Sequence, residues 1–189
     1  MTQPFASRTH TEMRDVLMNP DAAGPAIHYY MIRGGSEKTN ITVWEPGTVG
    51  GEYIKTYGHY HRDALPETYT VLSGEGFVII QERAHDASGA PIDDNIKNVR
   101  AVRVKAGDSV VIPPRSGHLA INTGATWLVT SDNSPVNFSE EKAVSKPGHA
   151  DYEPFRRLRG ACYYVIEKNG QPEFVKNPHY KIVPPIVVQ

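Results

Sequence analysis

Cysteine is nearly absent from this 189-residue chain, where Cys162 stands alone. A single thiol cannot close an internal disulfide, and it suits a reducing compartment. No apolar run approaches the roughly 20 residues needed to cross a bilayer. The opening Met1-Thr2-Gln3-Pro4 lacks the charged-then-apolar pattern of a secretion signal, so a cytoplasmic location with no membrane partner is expected. An excess of either charge sign is also missing. Twenty Lys and Arg face 21 Asp and Glu, interspersed along the chain, which argues against nucleic acid as a partner. There is no Walker-type glycine loop, no helical heptad and no repeat at a period of 20–50 residues.

The chain does hold enough apolar sequence, 39% of its residues, to bury the core of one domain. Fifteen prolines and 16 glycines punctuate short runs rich in β-formers, which argues for an all-β fold. Strands are predicted over residues 27–32, 41–44, 53–57, 67–72 and 77–81. Further strands follow over 99–104, 109–112, 119–122 and 126–131. A final hairpin pairs 161–167 with 173–176 through Asn169-Gly170. One short helix is expected around Thr11 to Met18, ended by Asn19-Pro20. Residues 84–95 are polar and read as a long surface loop or hairpin tip, and residues 133–159 as irregular. Eight or more short strands fit a double-sheet sandwich or small barrel. The expected organisation is an N-terminal extension over 1–26, helical or irregular, then a single domain over 27–181 and a tail over 182–189.

Chemistry concentrates in two blocks. The first holds His59 and His61 with Glu67 six residues on, followed by Gly74. The second runs Gly107, Pro113, His118 and Asn122. Histidines at i and i+2 of a strand share one face, because side chains alternate with a period of two. Imidazoles joined by a carboxylate suit Fe, Mn, Ni or Zn rather than Mg or Ca. The bland alternative makes the same residues ordinary strand and loop polars, and the combined spacing outweighs it.

These blocks resemble the paired motifs of the cupin superfamily. Arg115, where the second motif usually carries glycine, is one departure; the slightly long gap between His61 and Glu67 is another. Lys55-Thr56-Tyr57-Gly58-His59-Tyr60-His61, Glu67-x-Tyr69 and Gly148-His149-Ala150-Asp151-Tyr152 narrow the likeness further. They resemble the cupin-type glucose-6-phosphate isomerases of archaea and some bacteria, over roughly residues 40–180.

The resemblance implies a jelly-roll barrel or sandwich with one divalent transition metal per subunit, iron foremost, held by His59, His61, Glu67 and His118. It implies Glu67 as general base in aldose–ketose isomerisation of a phosphosugar through a cis-enediol, with a metal-assisted hydride shift as the rival route. It also implies Thr42, Thr56, Gly58, Tyr69 and Tyr152 as substrate contacts, and a homodimer. Two other functions use the same motifs, a metal-dependent cupin dioxygenase and a sugar-binding cupin without turnover. His149 is a further residue that could edge the pocket. Tyr29, Tyr30 and Cys162 read as packing residues, and Lys55 alternates away from Thr56 on its strand.

Overall fold

A computed structural model describes residues 5–32, 40–62, 66–134 and 150–189. In chain order the first strands are β1 (Phe5–Thr9), β2 (Ile27–Ile32), β3 (Asn40–Trp44), β4 (Thr48–Val49) and β5 (Glu52–Tyr53). Next come β6 (His59–His61), β7 (Glu67–Ser73), β8 (Glu75–His85), β9 (Pro91–Lys105) and β10 (Ser109–Ile112). The rest are β11 (Gly117–Asn122), β12 (Leu128–Asp132), β13 (Ala150–Asp151), β14 (Tyr163–Lys168), β15 (Gln171–Lys176) and β16 (Val187–Val188). The α-helices among the described residues are single turns, α1 (His10–Met13) and α2 (Glu153–Arg157). None is long and apolar enough to cross a membrane.

The all-β architecture expected from the sequence is present. One six-stranded sheet has the order β1-β2-β3-β12-β7-β10, a second β13-β6-β11-β8-β9-β16, and a four-stranded sheet β15-β14-β5-β4 stands beside them. Strands β3 and β12 alternate buried and half-buried residues, the signature of a sheet with one face inward. Strand β11 is buried at every position. Trp44, Phe77, Ile79, Ile112, Leu119 and Leu128 are fully buried in the core. The Arg115 departure has a backbone cause: φ is 62°, the left-handed region that glycine enters without penalty.

Several expectations are corrected. Of the two readings of the polar stretch 84–95, the hairpin tip holds and the loop does not, because β8 and β9 continue their ladder out to His85↔Pro91. The true turn is confined to residues 86–90, where Asp86 Oδ1 accepts from the Ser88 and Ala90 amides and the Ser88 hydroxyl. Polarity there reflects a ribbon with much of its surface in solvent, which composition alone cannot tell from a loop. The helix expected around Thr11 to Met18 is shorter, one turn closed by a capping box between Thr9 and Glu12, then a 3-10 turn over Arg14–Val16. The strand expected over 53–57 ends at Tyr53. Residues 150–157, expected to be irregular, form β13 and α2.

The first and last strands of the described residues join the sheets. Strand β1 pairs antiparallel with β2, and β16 pairs parallel with β9. A buried ion pair ties the N-terminal segment down. Lys55 Nζ donates to the Val16 carbonyl at 2.7 Å and to the Glu52 carboxylate, which accepts from the Met18 amide at 2.8 Å. Lys55 is therefore a structural cation. His28 is fully buried nearby, with Nε2 3.0 Å from His10 Nδ1. Burial, then His10, then Lys55 push its pKa down to about 4.

Lys55→Met strands the buried Glu52 charge and is expected to cost about 3–5 kcal/mol. Glu52→Gln/Lys55→Met should lose less than the two single losses combined, read by urea unfolding.

His28 sets a pH limit. Its folded pKa lies below the unfolded value of about 6.5, so the unfolded chain binds the extra proton between those values. Its contribution to stability is full above pH ~6.5 and falls towards pH 4, by at most about 1.4 kcal/mol per pH unit. His28→Gln should flatten that slope in unfolding curves taken at pH 7, 6 and 5.

Candidate metal centre

The centre lies where the two large sheets face each other. Strands β6 and β11 pair with His118 directly opposite His59, and His61 follows at i+2 on the same face. Glu67 enters from the other sheet, as the first residue of β7. One ligand atom from each of these four residues lies within 4.8 Å of the other three. His61 Nε2 and His118 Nε2 approach the same oxygen, Glu67 Oε2, at 3.0 and 3.1 Å. The imidazole rings of His59 and His118 stand 4.5 Å apart, and those of His61 and His118 4.9 Å.

Glycine at 58 permits the approach. Its φ is 81°, and a Cβ there would sit 2.4 Å from Phe155 Cε1 and 3.2 Å from the His118 carbonyl oxygen. A side chain at 58 would push β6 off the strand that carries its partner ligand.

Burial raises the Glu67 pKa, but hydrogen bonds from His118 and His61 and the field of the imidazoles outweigh it. The carboxyl is held well below the ordinary carboxylate range. Glu67 is thus an anion at neutral pH, within a pocket that buries His61 and His118 as well. Its other oxygen, Oε1, accepts from the Ser134 hydroxyl. The Ser134 amide donates to Asp132 Oδ1 at 3.1 Å, and Asn40 Nδ2 donates to the same oxygen at 2.7 Å and to the Ser134 carbonyl at 3.0 Å. Sequence reasoning missed this Asn40–Asp132–Ser134 support. It is assembled from β3 and the end of β12, and no spacing in the chain announces it.

Tyr69 and Tyr152 meet the ligands. The Tyr69 hydroxyl is 3.0 Å from His118 Nε2, and the Tyr152 ring lies 5.2 Å from the His59 ring. Thr42 is buried on β3; the row Thr42–Thr130–Val71 places it on the same sheet face as Glu67 and Tyr69. The Thr56 hydroxyl accepts from the Ala120 amide at 3.0 Å, binding β11 two residues from His118. His149 lies outside the described residues. His59 is the least buried of the four residues, and Tyr152 lies beside it.

Three imidazoles and an ionised carboxylate, converging in a buried pocket, fit a divalent transition metal and would not satisfy an ion that prefers an all-oxygen shell.

The family model for glucose-6-phosphate isomerase matches residues 29–182. The chain belongs to that family. Curated relatives agree. The glucose-6-phosphate isomerase of Pyrococcus horikoshii is 31% identical over 142 residues, covering 74% of this chain and 62% of that protein. That of Pyrococcus abyssi is 30% identical over 141 residues, covering 74% and 62%. That of Thermococcus gammatolerans is 29% identical over 151 residues, covering 79% and 68%. The match thus spans little more than six tenths of the Pyrococcus relatives' length. Among solved structures, an oxalate decarboxylase of Bacillus subtilis aligns with a TM-score of 0.37 at 20% identity, over 55% of this chain and 24% of that one.

Equilibrium dialysis against Fe, Mn, Ni or Zn followed by elemental analysis should find about one ion per chain. His118→Ala should abolish that binding while the thermal unfolding transition stays cooperative.

Proposed function

We propose that this chain is a metal-dependent aldose–ketose isomerase that interconverts glucose 6-phosphate and fructose 6-phosphate. The observation that carries the reading is the convergence of His59, His61, Glu67 and His118 in a chain of the glucose-6-phosphate isomerase family. The four residues hold one divalent ion, with iron favoured over Mn, Ni and Zn. Bound there, such an ion supplies Lewis acidity that stabilises negative charge on sugar oxygens.

The chain's own residues supply the rest. Glu67 is ionised at neutral pH and so is available as a base. It takes the proton from C2 of the open-chain aldose and returns it to C1, while the hydroxyl proton passes from O2 to O1. The Ser134 hydroxyl fixes the carboxylate's orientation through Oε1. The Tyr69 hydroxyl, 3.0 Å from His118 Nε2, stands inside the site within reach of a bound sugar. Tyr152 lines the approach beside His59. Thr42, Thr56 and Gly58 complete the proposed substrate contacts, Thr56 through its hydroxyl, because its backbone N–H already donates to the Ala120 carbonyl at 2.9 Å, and Gly58 through its backbone N–H.

The same reading places the chain in the cytoplasm, in glycolysis and gluconeogenesis. It makes residues 27–181 a single catalytic domain that acts as a homodimer. Leu72, Val111 and Trp127, exposed on the outer side of the first sheet and its adjoining turn, supply apolar surface for such pairing.

The purified chain should isomerise fructose 6-phosphate in a coupled assay, lose activity on chelation and regain it on adding metal back. Glu67→Gln keeps size and an oxygen donor but removes basicity. It should lower turnover by about 10²–10⁴-fold in the fraction of protein that still carries metal. Full activity after complete metal removal, or oxygen consumption in place of isomerisation, would overturn the reading.

A further inference from the structure

The N-terminal strand carries a cation into the mouth of the centre. In β1, Arg8 sits directly opposite Tyr29 of β2. Ala6, two residues earlier and so on the same face, packs against the core. The Arg8 side chain therefore runs inward and is only 22% exposed. Its guanidinium carbon lies 5.9 Å from the Tyr57 ring centroid and 5.8 Å from that of Tyr152. Tyr152 in turn packs on His59. One aromatic ring thus separates this cation from the nearest metal ligand.

Its N–H groups are incompletely used. Arg8 hydrogen bonds to Tyr29, and Nη1 reaches Glu12 only at 3.4 Å. Nε is buried and has no hydrogen-bond partner among the described residues. Other cations nearby are committed elsewhere. Arg156 forms a two-point bond to Glu153 at 2.8 and 2.7 Å on the exposed side of α2, and Arg62 lies 3.8 Å from Asp151 and is 62% exposed. A buried, unsatisfied guanidinium N–H is costly to maintain. The guanidinium fork also matches the two-point geometry of phosphate oxygens better than an ammonium does.

We infer that Arg8 binds the substrate's phosphate, its guanidinium donating to the phosphate oxygens. This deepens the isomerase reading and rests on it for the sugar's identity. With C1 and C2 at the metal centre, the phosphate on C6 projects away by the length of a six-carbon chain. Arg8 lies on the far side of the Tyr152 ring from His59, 5.8 Å from that ring's centroid. The neutral donors proposed above, Thr42, Thr56 and Gly58, would then share the anion with a full positive charge supplied by a strand outside the predicted domain boundary at residue 27.

The test uses the full metal-loaded chain and two readouts. In the first, thermal unfolding is followed with and without inorganic phosphate at constant ionic strength. The wild type should be stabilised, since a ligand that binds only the folded state raises its melting temperature. Arg8→Met should lose most of that rise while melting within a few degrees of wild type in chloride alone. In the second, Arg8→Met should raise the KM for fructose 6-phosphate at least about tenfold, with kcat changed by less than about threefold, the pattern of lost uniform binding. If Arg8→Met does not fold, Arg8→Gln is measured in the same way and decides. Unchanged phosphate protection in the folded variant, or no protection in the wild type, overturns the inference and leaves the isomerase reading intact. Phosphate protection that depends on Arg8, in a chain with no isomerase activity, supports the anion site and removes the isomerase reading instead.

Discussion

Everything at the centre depends on one carboxylate reaching across the gap between two sheets. Three of the converging side chains belong to adjacent strands of one sheet, where pairing alone would bring them together. Glu67 comes from the opposite sheet, so its meeting with His61 and His118 requires the two layers to be packed at the correct separation. The core of Trp44, Phe77, Ile112 and Leu128 sets that separation. Stability and chemistry are therefore linked: loosening the sandwich lengthens the distances at Glu67 before it breaks any strand.

The support behind Glu67 follows the same logic. Ser134, Asp132 and Asn40 form a relay of hydrogen bonds that begins at the carboxylate and ends on β3. A buried anion without such partners would be neutralised or displaced. With them it stays charged, and its two oxygens are distinct: one faces imidazoles and the other faces a hydroxyl. The N-terminal segment plays a comparable part on the open side. It is fastened by Lys55, Glu52 and the Val16 carbonyl, and that fastening holds the turn that follows β1 against the body of the fold.

Much of this was legible in the chain. Strands β2 and β10 have the limits that alternation and turn residues predict, and the convergence of His59, His61, Glu67 and His118 was readable from two motifs because strand parity fixes where side chains point. The ribbon formed by β8 and β9 was partly hidden, since a strand pair projecting into solvent has the composition of a loop. The Ser134 relay was hidden altogether, because it depends on which strands become neighbours in the sheet. Lys55 illustrates the middle case. Alternation correctly turned it away from Thr56, while its burial with Glu52 depends on the three-residue spacing of a bent segment that resembled a strand.

The direct opposition of His59 and His118 carries a consequence for how such a sequence can change over evolutionary time. Side-chain direction in a strand has a parity, and a single inserted residue inverts it for everything downstream in that strand. One residue added within β6 or β11 would send a ligand to the outer face and leave the others without it. The same insertion between His61 and Glu67 lies between strands and leaves both parities untouched. Length should therefore drift freely in that connection and stay frozen in the two short strands, so that the reading frame of the sheet, more than the identity of its apolar residues, is what selection must guard.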